Sequence, residues 1–360
     1  MIGGSLQQEQ PLGWAEEVVA LREVWGRAPS AHNTQPWVLT AEDDRLLLSW
    51  DPARELVVTD PTRRDLWLSL GALAESVVIA AGDADHDLDV SWAIDARTHQ
   101  AAVIRRRGDV RDDRRAEDAS SSAAAAAGNC GGEGPASGRS RFASDDLLAR
   151  RCARGPYLRP FADEGEIDRV AAAAGLGDLS LSILPAKLVE RLLPQADRWT
   201  YSTPAQVDEL RRWLRLGAGH PAYELDGLSD AALALSTAQA RALRITLSTR
   251  VWPALSRLGG PAILAKAGVQ QDLGTVVAVH ASESTAEAPE AVSEAGRTLL
   301  RVWLSAGRAG LRVHPLSQLI DAPAVADHLH AALPGSHRRA LSVFRIGVPA
   351  RQPTRSARRI

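Results

Sequence analysis

Residues 28 to 37 read Ala28-Pro29-Ser30-Ala31-His32-Asn33-Thr34-Gln35-Pro36-Trp37. Two prolines fix φ at two points and remove two backbone donors, so this segment is a stiff loop rather than a helix or strand. Ser30, Asn33, Thr34 and Gln35 supply side-chain donors and acceptors suited to a polar ligand. The same side chains also suit a helix-capping turn, with Ser30 or Asn33 bonded to local backbone.

The flanks agree with a loop between a helix and a strand. Upstream, Trp14, Val18, Leu21 and Trp25 stack on one face of an amphipathic helix over 14–26. Downstream, Trp37-Val38-Leu39, the polar turn Glu42-Asp43-Asp44 and Leu46-Leu47-Leu48 predict a hairpin over 36–50. A long helix follows Pro61, with Leu66, Leu70, Leu73 and Val77 on one stripe, and then a strand region at 88–104.

Residues 108–143 change character. Arg/Asp runs, Ser120-Ser121-Ser122, an alanine run and several glycines leave too little apolar surface to offset ordering entropy, so a flexible linker is expected. The cluster Arg105-Arg106-Arg107 beside it reads as a solvated run. Beyond it, 144–174 reads as helix, Leu179 to Leu184 as a strand, and 190–265 as a long helical stretch carrying Trp199, Trp213 and Trp252. A strand from Thr275 to Val279, a helix at 288–309 and a last strand from Leu341 to Ile346 complete the pattern. An internal repeat runs through it: Gly71 aligns with Gly296, then Val77 with Val302, Ala81 with Ala306 and Gly82 with Gly307.

Composition sets the limits. With 360 residues, 45% of them hydrophobic, the chain can bury a large core as one big domain or two intimate halves. Helix formers with Val-rich runs between them favour an α+β or α/β class. A net charge of -2 calls for no nucleic acid. Cys130 and Cys152 alone make no disulfide scaffold, which suits a cytoplasmic setting. No apolar stretch is expected to reach the ~20 residues of a membrane span, and no signal peptide is evident.

The segment from Ala28 to Trp37 resembles the loop of the nitroreductase superfamily that reads roughly A-P-S-x-x-N-x-Q-P-W and, in the usual homodimers, reaches across the interface to FMN. Arg150-Arg151-Cys152-Ala153-Arg154-Gly155-Pro156-Tyr157 resembles that family's R-R-S-x-R-x-F motif, whose basic side chains hold the flavin. Cys152 departs from the usual Ser or Thr. Arginine's fixed fork of donors suits phosphate and the N1/C2=O edge of isoalloxazine, and on a helix Arg150 and Arg154 would face one way. A solvated basic face would show the same spacing. The C-terminus, Phe344-Arg345-Ile346-Gly347-Val348-Pro349 and then Arg355, Arg358 and Arg359, resembles the family's Gly-x-Pro ending with a basic tail that reaches the FMN phosphate; a frayed tail is the alternative. Asp226-Gly227-Leu228 and the run from Leu311 to Gln318 resemble elements of the Acg type, in which two nitroreductase-like halves are fused.

The resemblance implies an α+β nitroreductase-like fold of two repeats forming a pseudo-dimer, with central sheets flanked by helices. The halves would be 1–107 and 144–360, the second carrying a helical insertion at about 190–265 that could lie over the flavin as a lid. It implies one FMN site per chain, with Pro29, Ser30, Asn33 and Gln35 from the first half and Arg150, Cys152, Arg154, Arg355, Arg358 and Arg359 from the second. Arg154 near N1/C2=O would favour the reduced flavin. The implied activity is that of an oxidoreductase using NAD(P)H to reduce nitro- or quinone-like acceptors, in a monomer with no nucleic-acid or membrane partner and no side-chain acid or base required. An FMN-binding or FMN-sequestering protein with little turnover is the alternative. No G-x-G-x-x-G follows a strand, and Walker A, G-x-S-x-G and H-E-x-x-H are absent. His328 and His330, two apart on a helix, point apart and make no metal site.

Overall fold

A computed structural model describes residues 12–108, 140–268 and 273–359. The first half runs α1 (Trp14–Ala20), α2 (Arg22–Trp25), β1 (Trp37–Glu42), β2 (Arg45–Trp50), α3 (Arg64–Asp83), β3 (Leu88–Asp95) and β4 (Gln100–Arg106). Next come α4 (Ser144–Ala149), α5 (Glu164–Ala174) and β5 (Ser180–Ile183). The helical stretch expected as an insertion contains α6 (Ala186–Ser202), α7 (Pro204–Trp213), α8 (Thr237–Thr246), α9 (Trp252–Arg257) and α10 (Gly260–Gly268), with a two-residue parallel pair, β6 (Leu214–Arg215) and β7 (Leu228–Ser229). The chain closes with β8 (Thr275–Ser282), α11 (Glu283–Glu287), α12 (Pro289–Arg308), β9 (Arg312–Pro315), α13 (Gln318–Asp321), α14 (Pro323–Ala331) and β10 (Arg338–Gly347).

Two antiparallel four-stranded sheets result, ordered β1-β2-β4-β3 and β5-β8-β10-β9. Helices flank both, so the class is mixed α and β. Alternation in the β1/β2 hairpin turns Trp37, Leu39, Leu46, Leu48 and Trp50 inward, and their core is continuous with that of the second sheet through α3 and α12. This helical stretch has a core of its own around Val207, Leu214, Leu228, Leu247 and Trp252.

α3 and α12 cross where both present glycine. A Cβ on Gly71 would stand 1.8 Å from the Ser293 carbonyl oxygen, and one on Gly296 would stand 2.4 Å from that of Leu68. Only glycine lets the two backbones come this close. These are the two glycines aligned by the internal repeat. Beside them buried Glu75 of α3 pairs with Arg297 of α12 at 3.0 Å.

Several sequence expectations need correction. The helix over 14–26 is broken at Leu21, and the strand region near 88–104 is a hairpin turning at His99 (φ 57°). The helix expected over 144–174 stops at Ala149 and resumes at Glu164, because Gly155, Pro156 and Pro160 cannot continue it. Arg150 and Arg154 therefore lie on extended chain, where Cys152 bridges to Val313. On extended backbone, positions i, i+2 and i+4 share a side, so a period of two rather than 3.6 brings Arg150, Cys152 and Arg154 together.

The expected linker at 108–143 lies, from 109 to 139, outside the described residues, as does Cys130. Its far end is folded: Phe142 is buried with Leu147, Leu300 and Leu304, and the Arg308 guanidinium stacks on its ring. The helix Arg64–Asp83 is, against expectation, long and apolar enough to cross a membrane, with mean hydropathy 1.4 over its best window, but 89% of that window is buried inside the protein. It is the central helix of the core.

Candidate functional site

The loop from Ala28 to Trp37 is held in an unusual backbone conformation. His32, Asn33 and Gln35 all have positive φ, at 47°, 55° and 50°. Non-glycine residues in this region cost on the order of 1–3 kcal/mol each and persist only where the surroundings determine them. Here they do. The Ser30 hydroxyl accepts the backbone N–H of Gln35 at 2.9 Å. Asn33 Nδ2 donates to the carbonyls of Gly227 and Ala357, each at 3.1 Å, and the Asn33 carbonyl accepts from Gly227 N–H. Gln35 Nε2 donates to the Leu225 carbonyl at 2.9 Å, while its Oε1 accepts the backbone N–H of Arg359 at the same distance.

Ser30, Asn33 and Gln35, expected as ligand donors, are thus all engaged within the protein. These bonds close the loop and tie it to residues 225–227 and to the C-terminal tail. Pro29 stands half-buried at the entrance to the turn. His32 lies in the middle of the single turn Ala31–Asn33. The His32 Nδ1 is sealed from solvent without a partner, and burial depresses its basicity, with Arg154 adding to the effect and Asp65 and Glu209 opposing it.

Where the loop leaves α2, arginines from three parts of the chain converge. Arg150 donates to the Arg27 carbonyl at 2.7 Å, Arg27 to the Ser356 carbonyl at 3.2 Å, and Arg151 and Arg355 both to the Leu148 carbonyl, at 2.6 and 2.9 Å. None of these four is in an ion pair with a described carboxylate. The Arg27 guanidinium is pushed down to about 10, by burial first and then by Arg355, Arg150 and Arg151; only Glu23 opposes. The Nε atoms of Arg27 and Arg150 are buried without partners. Such a convergence of unneutralised cations has the charge a multiply charged anion would need, which makes it the candidate site.

The two terminal arginines are placed differently. Arg358 is buried, and its donors go to Gly26 O at 2.7 Å, Asn33 Oδ1 at 2.5 Å, Ala357 O at 2.8 Å, Ala28 O at 3.1 Å and Arg27 O at 3.4 Å. It gathers the carbonyls of the turn that follows α2, one of which, that of Arg27, it shares with Arg150. Arg359 donates to the Gln35 carbonyl at 2.8 Å. Of the three tail arginines expected to reach a phosphate, Arg355 alone joins the cationic cluster.

Along the extended segment, Arg154 donates to the Ala232 carbonyl of the insertion at 3.0 Å. Residues 225–232 thus lie across both the loop and Arg154. They are pinned by Asp226, which accepts from Arg215 at 2.6 Å and from Arg54 at 3.0 Å. Gly227 (φ 71°) lies so close to Trp213 that a Cβ would meet its carbonyl at 2.5 Å. A cleft of about 70 Å³ opens beside Arg150 and Arg151, far below the ~300–1,000 Å³ typical of cofactor sites. Larger cavities of about 490 Å³ at the β5 edge and 440 Å³ within the insertion lie away from this chemistry.

Behind Arg154, Arg345 of β10 is 1% exposed. It donates to His314 Nδ1 at 2.9 Å and to the Gly155 carbonyl at 2.5 Å, and its guanidinium lies 4.6 Å from the Tyr157 ring centroid. Arg27, Arg151, His32, His314 and Arg345 were not singled out from sequence as site residues. For Arg27 the signal was adjacency to the loop motif and for Arg151 a place inside the arginine motif; for Arg345 it was an arginine between Phe344 and Ile346 in an apolar strand. Among the described residues no cluster of metal-ligating side chains occurs.

No family model matches the chain, and no curated protein matches it. Solved structures similar to it include the FMN-dependent nitroreductase NfnB from Mycobacterium smegmatis in complex with NADPH, 17% identical, TM-score 0.34, with 57% of this chain and 86% of that one covered. A nitroreductase with bound FMN from Bacteroides fragilis is 11% identical, TM-score 0.32, with 58% and 92% covered. A BluB-like flavoprotein from Clostridium difficile is 14% identical, TM-score 0.34, with 58% and 92% covered.

Proposed function

We propose that the chain is an FMN-binding oxidoreductase of nitroreductase type, built from two halves and using NAD(P)H to reduce nitro- or quinone-like acceptors. The observation that carries this reading is the convergence of Arg27, Arg150, Arg151 and Arg355, without a paired carboxylate, beside the Pro29–Pro36 loop. The donor set fits FMN. The cluster suits a phosphate dianion, and Arg154, close enough to act on both His314 and His32, lies two residues beyond the Cys152 bridge to β9.

Arg150 and Arg355, with Arg27 and Arg151, would hold the phosphate, and Arg154 would meet the electron-rich edge of the ring. Bound FMN would supply two-electron redox chemistry between nicotinamide and acceptor. The chain's own tasks are to neutralise the phosphate, to orient the ring by charge and to exclude water with residues 225–232.

A second reading, an FMN-holding protein with little turnover, is favoured by the contacts of Ala232 with Arg154 and of Leu225 with Gln35. A cover held this way bars a nicotinamide from the ring unless it opens. The first test is a spectrum of the purified protein: it should be yellow, or turn yellow on adding FMN, and release FMN rather than FAD on denaturation. A colourless chain with no affinity for added FMN would remove both readings. Anaerobic stopped-flow bleaching by NADPH then separates them, fast bleaching meaning a working reductase and slow bleaching a holder.

A further inference from the structure

His314 and Arg345 face each other across the β9/β10 ladder, and the Arg345 Nε–H points at His314 Nδ1 from 2.9 Å. A guanidinium has donors only, so the ring nitrogen it addresses must carry a lone pair. The single proton of a neutral imidazole then sits on Nε2. Adding a second proton would set an N–H against an N–H and a cation against Arg345, with Arg154 near by. Burial and these two arginines all press the ring toward the neutral form. Arg345 is itself fixed, by the Gly155 carbonyl and the Tyr157 face. No hydrogen bond from His314 Nε2 to a described residue accompanies the one at Nδ1.

We propose that Arg345 is a positioning residue that locks His314 as the neutral Nε2–H tautomer, so that His314 serves the candidate site as a fixed hydrogen-bond donor and never as a base. The group it would recognise is an acceptor without its own proton, such as a carbonyl, imide or nitro oxygen of the bound ligand. The ligand half of this inference rests on the FMN reading; the tautomer half does not.

The same strand carries a second instance. Arg338 Nε donates to His280 Nδ1 at 3.0 Å, which leaves Nε2–H to meet the Ser182 hydroxyl at 2.9 Å. Ser182 and His280 lie at nucleophile-and-base distance, yet the arginine makes the ring a donor to the serine and removes it as a base. His280 is thus an internal reference for the spectroscopy of His314.

The test uses the full chain without flavin, labelled with nitrogen-15 in its histidines, and long-range proton–nitrogen correlation spectra. His314 is assigned by the signals lost in His314→Gln. The expected result is an Nε2–H pattern for His314 that does not titrate through about pH 6.5, where an ordinary histidine changes charge. An Nδ1–H pattern or an ordinary titration overturns the proposal. In Arg345→Met the ring should mix tautomers, and in Arg345→Lys the Nε2–H form should return in part. If Arg345→Met does not fold, the unsubstituted chain decides alone. Flavin fluorescence then gives the FMN affinity, which should weaken roughly five- to tenfold in His314→Phe, the worth of one hydrogen bond. Unchanged affinity in a chain that binds FMN overturns the donor role. A chain that takes no FMN sinks the proposed function instead, and the flavin-free spectra still decide the Arg345–His314 relation.

Discussion

Arg358 donates from Nη1 to Asn33 Oδ1 at 2.5 Å, joining positions 325 residues apart in sequence. Because its other donors cap Gly26, Arg27 and Ala28, the C-terminal tail is a clamp on the loop. Arg358→Ala should therefore cost about 2–4 kcal/mol, since it leaves several buried carbonyls unsatisfied at once. Urea unfolding followed by circular dichroism checks this. A loss of flavin affinity with stability unchanged would mean that Arg358 binds ligand after all.

The cationic cluster should behave otherwise. Arg150→Ala or Arg27→Ala should lower FMN affinity roughly ten- to a hundredfold, one charge-assisted hydrogen bond's worth, while the fold survives. Added salt should narrow the gap between variant and parent, because screening weakens what the lost charge contributed. Equal affinities in both variants and parent would place the phosphate elsewhere.

Asp226 anchors residues 225–232 to Arg54 and Arg215. Asp226→Ala removes the shared partner of two arginines, which is strongly destabilising for the local arrangement. If this segment gates the ring, anaerobic bleaching by NADPH should quicken about tenfold or more, since roughly 1.4 kcal/mol of released closure suffices for tenfold. Bleaching at the parent's rate would show that the segment is no gate.

The α3/α12 crossing leaves no room for a methyl group. Gly71→Ala and Gly296→Ala should each cost about 3 kcal/mol, because overpacking at a backbone contact cannot be relieved by turning a side chain. Gly82→Ala on the same helix α3, where a Cβ meets nothing within 4 Å, is the control and should be close to neutral. Thermal unfolding of the three variants settles the comparison.

At the start of α3, burial, aided by Asp65, pushes the Asp60 carboxyl up to about 8. Asp321 is pushed up to about 7 by burial, with Arg64 pulling the other way. A raised folded value means that the native state binds the extra proton. This contribution is complete below about pH 4 and is lost as pH climbs toward 8. The urea midpoint should thus fall between pH 5 and 8, and Asp60→Asn, which keeps an acceptor for the Leu66 N–H, should flatten that fall by at least about 1 kcal/mol. A midpoint that rises over this range would contradict the assignment.

Much of the fold was legible because it rests on short-range periodicity. The β1/β2 hairpin, the stripe Leu66-Leu70-Leu73-Val77 and the alignment of Gly71 with Gly296 all follow from patterns a few residues wide. The extended run from Arg150 to Pro160 was misread because its arginine spacing fits a helix, whereas the prolines that forbid one lie further on. The site was legible as a set of segments but not as a set of roles. Asn33 and Gln35 have the right chemistry for a ligand, yet their partners are Gly227, Leu225, Ala357 and Arg359, and pairings across such separations leave no local trace. Arg345 is hidden for the opposite reason: β10 is buried continuously from Val343 to Gly347, so no alternation singles the arginine out and nothing local says that a histidine lies opposite.

The glycine crossing of α3 and α12 has a thermodynamic corollary. Were these helices contributed by two subunits, their association would follow mass action, and dilution would unmake it. Within one chain the effective concentration is set by the tether, so the crossing carries no dependence on protein concentration. Symmetry is relaxed as well. In a twofold dimer every substitution appears twice, once on each side of the axis. Here a change at Asn33 or at Arg150 is felt once, and each side of the crossing is free to drift away from the other.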